Sequence, residues 1–328
     1  MPELPEIEHL RRSLEPGLLG ARFADLRIHR ADVFRNLRSE AWSSRSPRLR
    51  RSALLGLRVE SLRRHGKRLV IVTEGEGPTL IVHLGMSGQL TLLPPGARPE
   101  RRDHVHVMWR VDTKGCDDPA RRMRLLFRDP RRFGGLFAYP SFETARDTDL
   151  NRLGPDALSI SSSELADALT KTRRAIKTAL LDQFIIAGVG NIYADEALYT
   201  ARVSPLRPAC SLSRDEVDRI LVRLRERLLA SIEAGGTSFS DYRDGAGRRG
   251  DFQRRLEVYG RAGEPCYRCG ERLASFTLAQ RTTVFCPNCQ PRPNGLIHTQ
   301  PTDGVRAIGV HSARPDRPVA RRRTDKKS

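Results

Sequence analysis

An α+β fold in two domains is what the sequence predicts, on three observations. Seven short apolar segments separated by turn residues lie between Leu55 and Tyr139. Helical periodicity replaces them near residue 145, and two tight cysteine pairs follow close to the C-terminus. The first observation describes an N-terminal antiparallel β-sandwich with flanking helices, and the second a mainly helical domain. The third places a small cysteine-bearing ribbon after the helices. Boundaries follow where the pattern changes: 1–145 for the sandwich, 146–259 for the helical domain, 260–290 for the ribbon, and 291–328 for a basic tail.

The chain opens Met1-Pro2-Glu3-Leu4-Pro5-Glu6. Once Met1 is trimmed, Pro2 carries a free secondary amine, a nucleophile able to form a Schiff base. Glu3 beside it is placed to move the protons such steps require. Judged alone, these residues favour a plain helix start, with Pro5 pre-setting φ and the carboxylates favouring the positive helix end. From Glu6 to Leu19, the apolar residues Ile7, Leu10, Leu14 and Leu18 fall at helical spacing.

Strand patterns follow at Leu55 to Val59, Leu69 to Val72, Thr79 to His83, Gln89 to Leu93, Val105 to Val111, Leu125 to Phe127 and Leu136 to Tyr139. The connectors Glu74-Gly75-Glu76-Gly77-Pro78 and Pro94-Pro95-Gly96 are turn chemistry, and the polar stretch Asp112 to Met123 reads as a long hairpin loop. Capping boxes at Ser161 with Glu164 and at Ser213 with Glu216 open two helices, the second ending at Gly235-Gly236. Two more helices are expected, near Ala175 to Leu181 and from Asn191 to Ala201. The tail has nine Lys or Arg against three Asp and little apolar content, so disorder is expected there.

Lys and Arg total 58 against 39 Asp and Glu, a net charge of +19. This excess is spread over well-patterned segments, which implies a folded protein with a nucleic acid as partner. No stretch approaches the roughly 20 apolar residues of a spanning helix, so no membrane partner is expected. The N-terminus has no basic-then-apolar signal layout, and a cytoplasmic monomer is the expectation. Of six cysteines, Cys266-x-x-Cys269 and Cys286-x-x-Cys289 are separated by sixteen residues. Two such knuckles suit one tetrahedral zinc ion, structural because four thiolates leave no open position. Arg281, in the ribbon loop Thr277 to Thr283, is a candidate phosphate or groove contact.

Other motifs are individually ordinary. Gly188-Val189-Gly190 before Asn191 presents amide groups suited to an anion. Lys67 precedes a strand, Met86 sits in the turn His83 to Gly88, and Arg131 and Phe133 share the turn Asp129 to Gly135. Arg there suits a phosphate or base edge, and Phe a wedge into a duplex.

Taken in order, these motifs, together with Val258-Tyr259-Gly260-Arg261, resemble the formamidopyrimidine-DNA glycosylases (Fpg) of the Fpg and endonuclease VIII (Nei) superfamily, over residues 1 to about 290. The resemblance implies a bifunctional glycosylase and AP lyase of base excision repair, acting on duplex DNA with oxidised purines or abasic sites. It implies an architecture of β-sandwich, helix-two-turns-helix domain and zinc finger. Pro2 is implied as Schiff-base nucleophile, Glu3 as proton donor and shuttle, Lys67 as the aid to β-elimination and Arg281 to δ-elimination. Met86, Arg131 and Phe133 are implied to fill the hole left by the extruded base. His104, Arg131, Lys177 and Asn191 are implied contacts to DNA phosphates. A bacterial, nucleoid-associated location accompanies these.

Two features depart from the family pattern. Asp251 stands in the lesion-covering segment Ser238 to Phe252 where an aromatic is often found, and the tail runs beyond the usual end of the family. A Nei-type activity on oxidised pyrimidines and a non-catalytic binder of damaged DNA are the alternatives. Leu4 and the Ala-Ile-Lys setting of Lys177 favour purines, and the intact set of Pro2, Glu3, Lys67 and Arg281 favours catalysis.

Overall fold

The computed structural model describes residues 2–35, 52–98, 103–113, 118–237, 243–248 and 250–291. The tail beyond 291, Cys116 and residues 238–242 and 249 of the Ser238 to Phe252 segment lie outside the described residues. All described residues belong to one compact unit, Met1–Leu296.

Helix α1 (Leu4–Leu18) begins at the two prolines and carries Ile7, Leu10, Leu14 and Leu18 along one fully buried stripe. Eight strands then build two antiparallel sheets: β1 (Arg22–Ile28), β2 (Val59–His65), β3 (Arg68–Thr73), β4 (Thr79–His83), β5 (Gln89–Leu93), β6 (Val105–Asp112), β7 (Met123–Arg128) and β8 (Gly135–Tyr139). The sheet orders are β1-β6-β7-β5 and β2-β3-β4-β8. Between them lie Phe23, Leu69, Ile71, Leu80, Val82, Trp109, Leu125 and Phe127, together with the α1 stripe. Each such side chain contributes roughly 1.5–3 kcal/mol through burial.

Strand β1 carries no clean alternation, since Phe23 alone of its residues is buried, and no period in the sequence marks it. The expected strand at Leu55 to Val59 is corrected to Val59–His65. Residues 52–56 form turns, and the charged outer residues of β2, an edge strand, hid its period. Helix α2 (Phe142–Thr148), capped by Ser141, covers the outer face of the second sheet.

The helical part comprises α3 (Ser162–Thr170), α4 (Ile176–Leu180), α5 (Asn191–Thr200) and α6 (Arg214–Glu233). Both capping boxes form as their sequences require. Gly235 and Gly236 adopt φ +80° and +84°, which stops α6. These helices surround a second core that includes Leu4. Helix α1 therefore enters the helical core with its first residue and the sandwich core with the rest. A two-stranded hairpin, β9 (Ala274–Leu278) and β10 (Arg281–Phe285), follows and packs on Tyr199 of α5.

Candidate active site and nucleic-acid interface

The N-terminal residues are anchored where the two cores meet. The Leu4 amide donates to the Gly188 carbonyl (3.1 Å). Glu3 is 2 % exposed, and its Oε1 accepts from the Ile192 amide in the first turn of α5 (3.0 Å). The anion at this helix N-terminus is thus Glu3's own carboxylate, and the partial positive charge of the helix end faces it. Its second oxygen, Oε2, is buried with no hydrogen-bond partner. Gly190 makes room, because a Cβ there would lie 2.3 Å from Glu3 Cδ. Gly188, at φ +108°, makes room for Leu4. Gln183 pins this turn, accepting from the Gly188 amide (3.0 Å) and donating to the Val189 carbonyl (2.8 Å).

Glu6 lies beneath and is 1 % exposed. Its Oε2 accepts from the Glu3 amide (2.8 Å), and its Oε1 from Thr237 N, Thr237 Oγ1 and the Tyr193 hydroxyl (2.8, 2.8 and 3.0 Å). One carboxylate thereby ties the terminus to α5 and to the chain after α6.

Lys67 sits on the β2–β3 turn and is 8 % exposed. The turn is locked by Asp156, which accepts from the Gly66 amide (2.7 Å) and from both terminal nitrogens of Arg64. Arg64 Nε also reaches Glu8 of α1 (3.2 Å). Lys67, His83, Gln183 and Arg281 line a cleft of about 340 Å³. Burial raises the Glu3 carboxyl above its ordinary range, with the Lys67 ammonium opposing. Burial lowers Lys67, with Glu3 opposing and Arg281 assisting. Burial and the Arg68 charge bring His83 down to about 4, so it is neutral at pH 7. A carboxyl held toward its acid form beside an amine held toward its base form is an arrangement suited to proton transfer in both directions. A larger surface cleft, about 770 Å³ and lined by Arg219 and Arg223 among others, lies beyond the other end of α5 and holds none of these groups.

Met86, Arg131 and Phe133 are brought together by two clipped loops. Asp129 is fully buried; its Oδ1 accepts from the Ser87 hydroxyl (2.6 Å) and its Oδ2 from the Gly134 amide (2.7 Å). Backbone meets backbone here: a Cβ on Gly85 would lie 2.5 Å from Gly134 N. The loops present Met86 at 43 % and Phe133 at 60 % exposure, with Arg131 also exposed. Large apolar side chains held in solvent by a rigid frame are available to a partner. His104 is exposed at φ +59°, whereas His106 is buried against the Asp129 carbonyl (2.8 Å). Of the two, only His104 is open to a phosphate.

The Sγ atoms of Cys266, Cys269, Cys286 and Cys289 all lie within 4.8 Å of one another, with Cys269 to Cys286 at 3.5 Å and Cys266 to Cys289 at 4.0 Å. Tetrahedral thiolates at about 2.3 Å from zinc stand about 3.8 Å apart, so the set fits one zinc ion. Amide groups of Arg268 and Cys289 point at the Cys266 and Cys286 sulfurs (3.4 and 3.3 Å), as thiolate ligands require. The hairpin turn consists of Ala279 and Gln280, at φ +47° and +60°. It projects exposed Arg281 toward Lys67.

Asn191 donates to the Thr282 carbonyl (2.9 Å). Lys177 departs from its implied phosphate contact. It is fully buried, with Nζ on Asp195 Oδ1 (2.7 Å), the Thr282 carbonyl (3.0 Å) and Thr283 Oγ1 (2.8 Å). All three donors are occupied inside the protein, so it serves the hairpin. Burial pushes Asp195 up to about 7 against the pull of Lys177.

Nothing in the sequence singles out Asp156, Gln183 or Asp195, and it marks Glu6 only as a carboxylate of the helix start. Their partners are remote in the chain, and a lone acidic residue in a sequence carries no sign of burial.

The chain matches the family models of the formamidopyrimidine-DNA glycosylase N-terminal domain over residues 1–136, its H2TH domain over 153–243, and the zinc finger found in FPG and IleRS over 263–292. It is 43 % identical over 297 residues to the formamidopyrimidine-DNA glycosylase of Thermomicrobium roseum, covering 89 % of this chain and 99 % of the relative. Among solved structures it resembles MutM (Fpg) of Thermus thermophilus (38 % identity, TM-score 0.73, 88 % of this chain and 98 % of that one). It also resembles Lactococcus lactis Fpg in complex with Fapy-dG-containing DNA (28 %, TM-score 0.74, 88 % and 100 %). No helix among the described residues is long and apolar enough to cross a membrane. With the buried N-terminal anchor, the four-cysteine zinc site and these relationships, the chain belongs to the formamidopyrimidine-DNA glycosylase family, zinc-finger glycosylases of DNA repair.

Proposed function

We propose that this chain is a bifunctional glycosylase and AP lyase that removes oxidised purines from duplex DNA and then cleaves the strand. The observation that carries the reading is Glu3: a buried carboxyl on the first turn of α5, one oxygen fixed and the other without a partner, next to Pro2 and facing Lys67. Fapy-dG, the lesion in the DNA bound by the Lactococcus relative, is an oxidised purine, which favours purines here.

With Met1 removed, the Pro2 nitrogen attacks C1′ of the damaged nucleotide and the base leaves with the glycosidic electron pair. Glu3 donates a proton to the sugar ring oxygen as the ring opens to the imine. The imine acidifies C2′; loss of that proton to a nearby base expels the 3′ phosphate, and a second elimination expels the 5′ phosphate. Lys67, lowered by burial, assists the first elimination and Arg281 the second. Phe133, Met86 and Arg131 fill the space of the extruded base, offsetting part of a flipping cost of a few kcal/mol. His104, Arg131 and Asn191 take phosphates, while Lys177 supports the hairpin. The functional division follows residues 1–145, 146–259 and 260–290, and DNA binding holds the enzyme at the bacterial nucleoid.

The test is borohydride trapping with a duplex holding one 8-oxoguanine opposite cytosine. A covalent adduct that disappears on replacing Pro2 is the expected result. An adduct only with an oxidised pyrimidine overturns the purine reading, and none with either lesion or an abasic site overturns catalysis.

A further inference from the structure

We propose that Asp195 is the positioning residue for Arg281, holding β10 in register on α5 so that the guanidinium stays beside Lys67, and that it thereby sets how far cleavage proceeds from the first elimination to the second. This rests on the reading that Arg281 serves the second elimination.

The three residues after Arg281 are gripped in succession. Thr282 O accepts from Asn191 Nδ2 (2.9 Å) and Lys177 Nζ (3.0 Å), Thr283 Oγ1 from Lys177 Nζ (2.8 Å), and the Val284 amide donates to Asp195 Oδ2 (3.1 Å). Asp195 joins these contacts, because its other oxygen fixes Lys177 at 2.7 Å and both side chains are fully buried. Asn191 and Asp195 are four residues apart and lie on one face of α5. That helix also receives the Glu3 carboxylate at Ile192. Glu3 and Arg281 come from opposite ends of the chain, yet both are referenced to the first two turns of a single helix. A two-residue turn with both residues at positive φ leaves the hairpin little freedom to adjust. Arg281 itself is exposed, so its direction depends on what holds its strand.

Asp195→Asn keeps the shape and removes the charge that fixes Lys177. The experiment measures, on an abasic duplex, the ratio of second- to first-elimination product for the wild type, D195N, R281A and D195N/R281A, alongside zinc content and the rate of base release. Expected are one zinc per chain, base release near the wild-type rate, and a product ratio lowered about tenfold in D195N, less than the ~100-fold that a 1 Å displacement of a reacting group produces. The double variant should fall no further than R281A, since both changes act through one group. An unchanged ratio in zinc-loaded D195N, or losses that add in the double variant, overturns the proposal. If D195N loses zinc, Thr283→Val, which leaves the ion pair intact and removes one of its grips, must lower the ratio; a zinc-loaded T283V with the wild-type ratio overturns it equally. An unchanged ratio in R281A overturns the role of Arg281 itself and the proposal with it, whereas a change in R281A without one in D195N defeats the positioning alone.

Discussion

Gly190→Ala is the most informative single change at the proposed active site. The backbone there is extended, at φ −129° and ψ −160°, a region open to alanine, so no conformational strain is introduced. The three atoms nearest a new Cβ all belong to Glu3, at 2.3 Å (Cδ), 2.5 Å (Oε1) and 2.7 Å (Cγ). Restoring ordinary contact at 3.4 Å or more moves the carboxyl by about 1 Å. Glu3 then gives up the Ile192 amide, a bond to a charged group worth about 1.5–3 kcal/mol, and a misplacement of this size costs about 100-fold in rate. Single-turnover release of 8-oxoguanine should therefore fall about 100-fold, with a stability loss no larger than the roughly 1.5–3 kcal/mol of that bond. Gly188→Ala serves as contrast: it combines φ +108° with a contact of 2.5 Å to Leu4 Cδ1, and should lose more stability for a similar loss of rate. Wild-type base release by G190A would refute the assignment of Glu3 as the proton donor held by α5.

Three further outcomes follow from the same geometry. Lys67→Met removes the largest influence opposing the burial-driven rise of Glu3. Glu3 then stays protonated to higher pH, so the alkaline limb of the base-release profile should move upward while strand cleavage declines; a limb that stays or moves down contradicts the pairing. Phe133→Ala, at a site 60 % exposed, should leave stability within about 0.5 kcal/mol. Lost stacking of about 1–3 kcal/mol should nonetheless weaken excision of an intact lesion some tenfold or more, with a smaller effect on an abasic duplex, measured side by side. Cys266→Ser should release zinc, read by metal analysis, and return DNA affinity to the nonspecific range of roughly 10⁻⁴ to 10⁻⁶ M; tight binding without metal would contradict the finger's role.

What was legible in the sequence was local. The capping boxes of α3 and α6, the turn-bounded strands β4 and β5, and the two cysteine knuckles depend on residues a few positions apart, and the structure reproduces them. Strand β1 escaped notice because its burial does not alternate, and α2 because seven residues hold too little period. The site's supports escaped for a different reason. Arg64 meets Asp156 across 92 residues, and Glu6 meets Thr237 across 231. Read along the chain, Glu6 is a carboxylate favouring a helix start; in the fold it is a buried junction with four donors around it. Lys177 shows the converse, a cation read as facing phosphate that the fold encloses.

The burial of these charges has one physical basis. Buried charges are costly unless each finds a partner, and partners for Glu3, Glu6, Lys67, Lys177 and Asp195 come from separate elements. Five such groups meet around the first turns of α5, coupled to one another rather than to separate partners. The sandwich also buries Asp112, Arg128 and Asp129, but each with its own separate partners: Asp112 with Arg22 and Arg122, Arg128 with Asp103, and Asp129 with Ser87 and the Gly134 amide. Stability alone does not account for that distribution, because apolar residues would fill the same space at lower cost. The proposed chemistry accounts for it: a carboxyl raised and an amine lowered from their ordinary ranges both need a desolvated setting beside an opposite charge. The proposed active site lies where these charges are buried together, and Pro2 lies within two residues of that point by virtue of Leu4 being packed into the helical core.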